Sequence, residues 1–137
     1  MDEIPQLLRD GHRGVLVTLK RDGRPQLSNV MYAYDEATRT IRVSITDDRA
    51  KTRNLRRDPR ASFYVNAPDF GSYVVAEATA ELTPVTTRTD DPTAEELVAL
   101  YRAISGEHPD WDEYRAAMVE QRRLVGRLHV ERAYGVY

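Results

Sequence analysis

From Val15 to Leu82 the chain is a series of short runs in which apolar residues recur at every second position between turn residues, and nothing else narrows the fold as much. Val15, Val17 and Leu19 alternate with Leu16 and Thr18. The following Lys20-Arg21-Asp22-Gly23-Arg24 carries the Asp-Gly pair of a hairpin, whose residues tolerate positive φ. Pro25 to Asp35 sets Gln26, Ser28, Val30, Tyr32 and Tyr34 against Leu27, Asn29, Met31 and Ala33, so one face is partly polar. Ile41, Val43 and Ile45 alternate with Arg42, Ser44 and Thr46, and these first three strands predict an antiparallel meander. Ala61 to Ala67 and Ser72 to Leu82 are the next two strands. Leu124 to Tyr137 closes the chain as a strand or strand pair, with Val125, Leu128, Val130 and Tyr134 expected in the core.

Helical spacing is confined to four places. Pro5 to Arg9 is short, and Ala50 to Asp58 ends at Pro59. Thr93 followed by Glu96 predicts a capping box for a helix with Leu97, Leu100, Tyr101 and Ile104 on one stripe. Asp110 to Arg123 follows, with Trp111, Tyr114, Met118 and Gln121 inward. Six strands, one crossover helix and a late helical pair are no βαβ series. The expected class is mainly β (α+β), a six-stranded antiparallel barrel with peripheral helices.

With 137 residues and 41% hydrophobic content, one domain spanning 1–137 with one substantial core is expected. The absence of cysteine excludes disulfides, thiolate metal sites and cysteine nucleophiles. The start, Met1 to Gln6, lacks a basic and then apolar signal pattern, and no membrane-length apolar run occurs, so a cytoplasmic location is expected. The seven glycines form neither a dinucleotide fingerprint nor a Walker loop.

Ser44 to Arg60 is the chain's basic segment. Arg49, Lys51, Arg53, Arg56, Arg57 and Arg60 outnumber Asp47, Asp48 and Asp58, giving about +3 in a chain of net −2. A local excess in an acidic protein points to one anion site rather than a polyanion partner, and nucleic acid is not expected. A strand leading into a helix start presents unpaired N–H groups and the positive dipole end, with Thr46, Asp47 or Asp48 able to cap it and Arg49 and Lys51 adding charge. The implied ligand is a phosphate.

No catalytic residue emerges from the pattern. His12, His108 and His129 sit in unrelated elements without metal-ligand spacing, so no metal is expected. Ser28 and Ser44 lack a nucleophile motif and read as hydrogen-bond donors, while Asp110, Asp112 and Glu113 suit a helix start. A phosphate site without acid, base or nucleophile suggests that a cofactor carries the chemistry.

Gly14-Val-Leu-Val-Thr-Leu-Lys-Arg-Asp-Gly-Arg-Pro-Gln-Leu-Ser-Asn-Val30 and Arg49-Ala-Lys-Thr-Arg-Asn-Leu-Arg-Arg-Asp-Pro-Arg-Ala-Ser62 resemble the split β-barrel flavin and deazaflavin oxidoreductases, especially the coenzyme F420 branch related to pyridoxamine 5′-phosphate oxidase. Ser72 to Glu77 and Leu100 to Tyr114 extend the resemblance over nearly the whole chain. It implies a homodimer with the cofactor between subunits, its phosphate at Arg49, Ala50 and Lys51 beside Ser44 and Ile45. It also implies a ring near Gln26, Ser28 and Asn29, with Asn54 supporting the helix start. Phe70, Gly71 and Tyr73 would wall the pocket of a small hydride acceptor, with glycine where relatives carry tryptophan. FMN on the same barrel, or an F420 carrier without turnover, are the alternative readings.

Overall fold

The computed structural model describes residues 3–137. Its elements are α1 (Gln6–Asp10), β1 (Arg13–Leu19), β2 (Pro25–Met31), β3 (Ala33–Asp35), β4 (Thr40–Thr46), α2 (Ala50–Arg57), β5 (Arg60–Asn66), β6 (Tyr73–Leu82), α3 (Pro92–Ser105), α4 (Trp111–Glu120) and β7 (Arg123–Val136). The strands make one antiparallel sheet in the order β2-β1-β5-β6-β7-β4-β3. β2 and β3 occupy its opposite edges yet are separated only by Tyr32, so the sheet must curl until the edges meet there. The predicted strand from Pro25 to Asp35 is therefore two, the first half pairing with β1 and the second with β4. That break alone separates the seven observed strands from the six expected.

Tyr32 has a physical reason to leave the ladder. Its N–H donates to the His12 carbonyl at 2.9 Å, its hydroxyl donates to the Leu8 carbonyl at 2.6 Å, and its ring meets Phe63 edge-on at 4.8 Å. The side chain is fully buried, and that burial pushes the phenol pKa up, so it remains a neutral donor. Around it the inward residues of alternating strands form the barrel core, with Leu16, Phe63, Val74, Ile41, Val43, Ile45, Leu124 and Leu128 all at or near zero exposure. Each such side chain contributes roughly 1.5–3 kcal/mol, and a one-residue slip would turn a whole strand's set outward, so the alternation fixes register. Gly14 points into this core where any Cβ would collide with the Phe63 ring.

α3 and α4 cover the outside of the barrel at β7, where Leu97, Met118 and Val125 make a second small core with Tyr114 and Ala117. The capping box is not formed. α3 starts two residues earlier, at Pro92, and the Asp91 carboxylate caps it by accepting from the Ala94 N–H at 2.8 Å. Thr93 instead donates to the Pro84 carbonyl, and Glu96 pairs with Arg42 at 3.0 Å and Arg127 at 2.5 Å. Asp110 caps α4 by accepting from the Glu113 N–H, as the acidic cluster suggested. Gln121 is exposed beyond the end of α4. Tyr134 is exposed too, because a bulge passes over Glu131 between the pairs Glu77–Arg132 and Ala78–Val130 and reverses the facing of the residues beyond it. No helix among the described residues is long and apolar enough to cross a membrane.

Candidate functional site

α2 follows β4 after a short turn, and its start is held without a side-chain cap. Arg49 occupies the cap position, while Thr52 donates to the Thr46 carbonyl at 2.6 Å. The predicted caps do other work: Asp47 binds Arg56 at 2.6 Å and Arg122 at 2.7 Å, and the Asp48 carbonyl accepts from Arg53. The uncapped N–H groups of α2 thus remain directed at whatever lies in front of the helix.

In front of it lies an open cleft of about 600 Å³, bounded by the end of β2, the outer face of β4, the start of α2 and the facing sides of α3 and α4. Its polar floor is Asn29, Ser44 and Thr46, and one wall is apolar, from Leu100, Tyr101, Ile104, Tyr114 and Met118. The other wall is basic. Arg49, Lys51 and Arg123 converge there, no carboxylate lines the cleft, and none of the three is ion-paired among the described residues. Burial, then Arg49, then Arg123 push the Lys51 pKa below its usual value. Burial is also the first cause lowering the Arg123 pKa, with Arg49 adding to it. Three mutually repelling cations in a half-enclosed space destabilise one another until an anion joins them. The hydroxyl of Thr46 is buried and has no hydrogen-bond partner, a second unfilled requirement at the same place.

Of the predicted cofactor positions, Asn29, Ser44, Ile45, Arg49 and Lys51 line this cleft. Ala50 opens α2 beside it without lining it. Asn54 donates from one amide nitrogen to Thr18 Oγ1 at 3.0 Å and Gln26 Oε1 at 3.1 Å, so this pair binds α2 to the β1–β2 hairpin. Ser28 shares the face of Gln26, opposite Leu16. Phe70 and Gly71 form the β5–β6 turn and Tyr73 begins β6, all outside the cleft of their own chain. A shallower hollow of about 440 Å³ adjoins the cleft through Asn29, Val30 and Met31 and reaches Tyr64, on which Tyr73 stacks at 5.8 Å.

Sequence reasoning missed Thr46 as a lining residue, Arg123, and the apolar wall. The stripe of Leu100, Tyr101 and Ile104 was visible as a packing face, but periodicity does not say that it packs on a cleft. Arg123 adjoins Arg122, and nothing in the sequence distinguishes the inward one. Four members of the basic run are engaged locally: Arg53 on the Asp48 carbonyl, Arg56 on Asp47, Arg57 on the Leu19 carbonyl and Asn54, and Arg60 on Asp58.

The sequence profile of the pyridoxamine 5′-phosphate oxidase family matches residues 1–137. Among solved structures, an F420 reductase shares 23% identity over 96% of this chain and 98% of its own, with a TM-score of 0.72. A heme-binding protein from Mycobacterium smegmatis shares 22% identity over 98% of this chain and 55% of its own, TM-score 0.66. A FAD-binding protein from Mesorhizobium loti shares 19% over 95% and 87%, TM-score 0.65. At these identities the likeness establishes a shared fold.

Proposed function

The chain belongs to the pyridoxamine 5′-phosphate oxidase family, and on that premise we propose that its cleft holds a flavin-type cofactor by its phosphate, coenzyme F420 being the ligand and a small electron-poor organic molecule the hydride acceptor. The observation that carries this reading is the set of Arg49, Lys51 and Arg123, none of them ion-paired among the described residues, at the uncapped start of α2, next to an apolar wall. The residues fit such a group: cations and helix N–H groups for phosphate, Ser44, Thr46 and Asn29 for polar ring or linker atoms, and Leu100, Ile104 and Met118 for a ring face.

When bound in reduced form, the deazaflavin supplies a hydride from a ring carbon. The protein's part is binding and orientation. Tyr114 lines the cleft, donates its hydroxyl to the Leu97 carbonyl at 3.1 Å, and has its phenol pKa raised chiefly by burial. It stays neutral and occupied, which makes it a wall rather than an acid. With no carboxylate or imidazole in the lining, the proton that accompanies hydride would come from solvent through the open mouth or from the hydroxyl of Tyr101, which also lines the cleft.

FMN is the second reading, favoured by one observation: Arg53, Arg56, Arg57 and Arg60 are all engaged locally, so no basic stripe continues from the cleft to receive a long anionic tail. Separate titrations with F420 and FMN, followed by fluorescence, discriminate the two. Reduced F420 deuterated at the transferring carbon is then offered with quinones, enones and nitroaromatics. Deuterium in the product and a slowed rate are the expected outcome. Tight F420 binding with no oxidation by any acceptor would instead make the protein a carrier.

A further inference from the structure

We propose that Arg123 is a direct ligand of the cofactor's anionic group, and that the cleft therefore selects a phosphate-bearing group with at least two negative charges at that end. This deepens the reading of the cleft as a flavin-type site and rests on it.

The turn after α4 shows how the chain commits this side chain. Arg122 adopts a left-handed backbone, φ 55°, which sends two successive arginines in opposite directions. Arg122 goes outward to Asp47 at 2.7 Å, and the Asp47 N–H donates back to the Arg122 carbonyl at 3.0 Å. The second Asp47 oxygen holds Arg56 of α2 at 2.6 Å, so the turn is tied to the same β4–α2 connection that aims the helix. A left-handed arginine is strained, and this double tie is what maintains it. Arg123, beginning β7 opposite Thr46, is left facing the cleft.

Its partners there are neutral. Nε donates to Gln121 Oε1 at 3.0 Å, and Nη1 lies 3.4 Å from both the carbonyl and the hydroxyl oxygen of Ser44. Four residues along the same strand, Arg127 shows what a structural arginine looks like in this protein. It is also half-buried, but it is clamped between Glu96 at 2.5 Å and Glu81 at 3.4 Å. Arg123 has comparable burial and no acid. Placing a guanidinium beside Lys51 and Arg49 costs stability in the empty protein, and that cost is recovered only by a ligand.

Charge then specifies the ligand. An uncharged ring system leaves three cations unpaired, and a singly charged phosphodiester leaves two. A phosphomonoester dianion, or a phosphodiester continued by carboxylates, comes close to neutralising the set. Both sources present the same chemistry, and separate arms of one experiment distinguish them.

The experiment titrates riboflavin, FMN and F420 into wild type, Arg123→Gln, Arg123→Lys and the control Arg53→Gln, at low and at raised salt, with thermal unfolding of each unliganded protein. Expected for Arg123→Gln is a roughly ten- to hundredfold loss of affinity for whichever phosphate-bearing ligand wild type binds, with a shallower salt dependence. Riboflavin affinity stays unchanged. Arg123→Lys recovers part of the loss, keeping charge but not the fork. Arg53→Gln binds as wild type does. The unliganded Arg123→Gln melts at or above the wild-type temperature, because repulsion has been removed. Wild-type affinity in Arg123→Gln overturns the proposal, as does a melting temperature several degrees lower, which would make Arg123 structural. Wild type that binds neither FMN nor F420 overturns instead the flavin-type reading beneath it.

Discussion

Among individual residues, the difference between a cation that serves the fold and one that serves a ligand is whether an acid or a carbonyl already occupies it. Arg60 and Asp58 satisfy each other at 2.7 Å, which holds the Asp58 carboxyl down to about 2. Lys51 has no such partner, and its neighbours are cations. Lys51→Ala therefore removes a charge-assisted contact made only with ligand, worth on the order of 1.5–3 kcal/mol. Cofactor affinity should fall roughly ten- to a hundredfold with the melting temperature unchanged or raised. Arg49→Ala should behave alike, more weakly because it is exposed. Calorimetric titration beside a melting curve checks both, and unaltered affinity in the double variant would return the run to a solvated face. Lys51 was readable because a basic run at a strand-to-helix junction has a dipole behind it. Arg123 was not, because its direction depends on one left-handed residue tied to Asp47, and backbone hand is not written in residue type.

At the level of elements, strands were more legible than helix starts. Period-two alternation reports which face is buried, and the inward sets of β1, β4, β5 and β6 follow it. The break at Tyr32 and the bulge at Glu131 interrupt it for tertiary reasons, a buried hydroxyl seeking Leu8 and a skipped pair. The Thr93/Glu96 box failed because a better acceptor stood two residues earlier. Asp91 takes the Ala94 and Thr87 N–H groups and the Thr86 hydroxyl, so its carboxylate fixes both the helix and the loop before it. Glu96 was thereby released to anchor α3 to the barrel. The hydrogen bond from Arg127, ahead of other causes, depresses its pKa from 4.5. A depressed carboxylate stabilises the folded state fully above its unfolded pKa, and the contribution is lost as pH falls through the lower folded value. Glu96→Gln should destabilise by roughly 1.5 kcal/mol at neutral pH, the low end for such bonds, since Arg42 keeps Asp35 and Arg127 keeps Glu81. The gap between wild type and variant, measured by urea unfolding, should begin to narrow below about pH 4.5 and close once pH has fallen through the depressed folded value. A gap that does not narrow at all as pH falls below that value would show that the Glu96 ion pairs do not hold α3 down.

For the whole molecule, the helices leave one side of the barrel bare, and its composition is wrong for solvent. Register places Leu27, Val17, Val15, Tyr64, Val75 and Tyr134 on the outer face in adjacent rows, with Met31, Tyr73 and Val136 beyond them. Leu27 is 62% exposed, Val136 60%, Met31 47% and Tyr134 43%, and Phe70, in a left-handed turn at the rim, is 79% exposed. Contiguous apolar surface of this kind marks an interface. The partner that the resemblance implies is a second copy, and the hollow at Asn29, Val30 and Met31 joins this face to the cleft. Covering the four large strand side chains gains on the order of 1 kcal/mol each, roughly 8 for a symmetric pair, against an association cost of about 4–15 kcal/mol. Those four barely balance the cost, so the half-buried Val15, Val17, Tyr64, Tyr73 and Val75 must also close against the partner if the dimer is stable. The prediction is a homodimer at micromolar concentration, with the partner's Phe70 to Tyr73 turn carried towards the cleft. Light scattering checks the mass. Leu27→Glu together with Val136→Glu, neither of which lines the cleft, should give a monomer with unchanged far-UV circular dichroism and cofactor affinity lowered about tenfold or more, because the predicted second wall is lost. A wild-type monomer would remove the homodimer and the shared site together, whereas a dissociated variant with full affinity would leave the cleft complete within one chain.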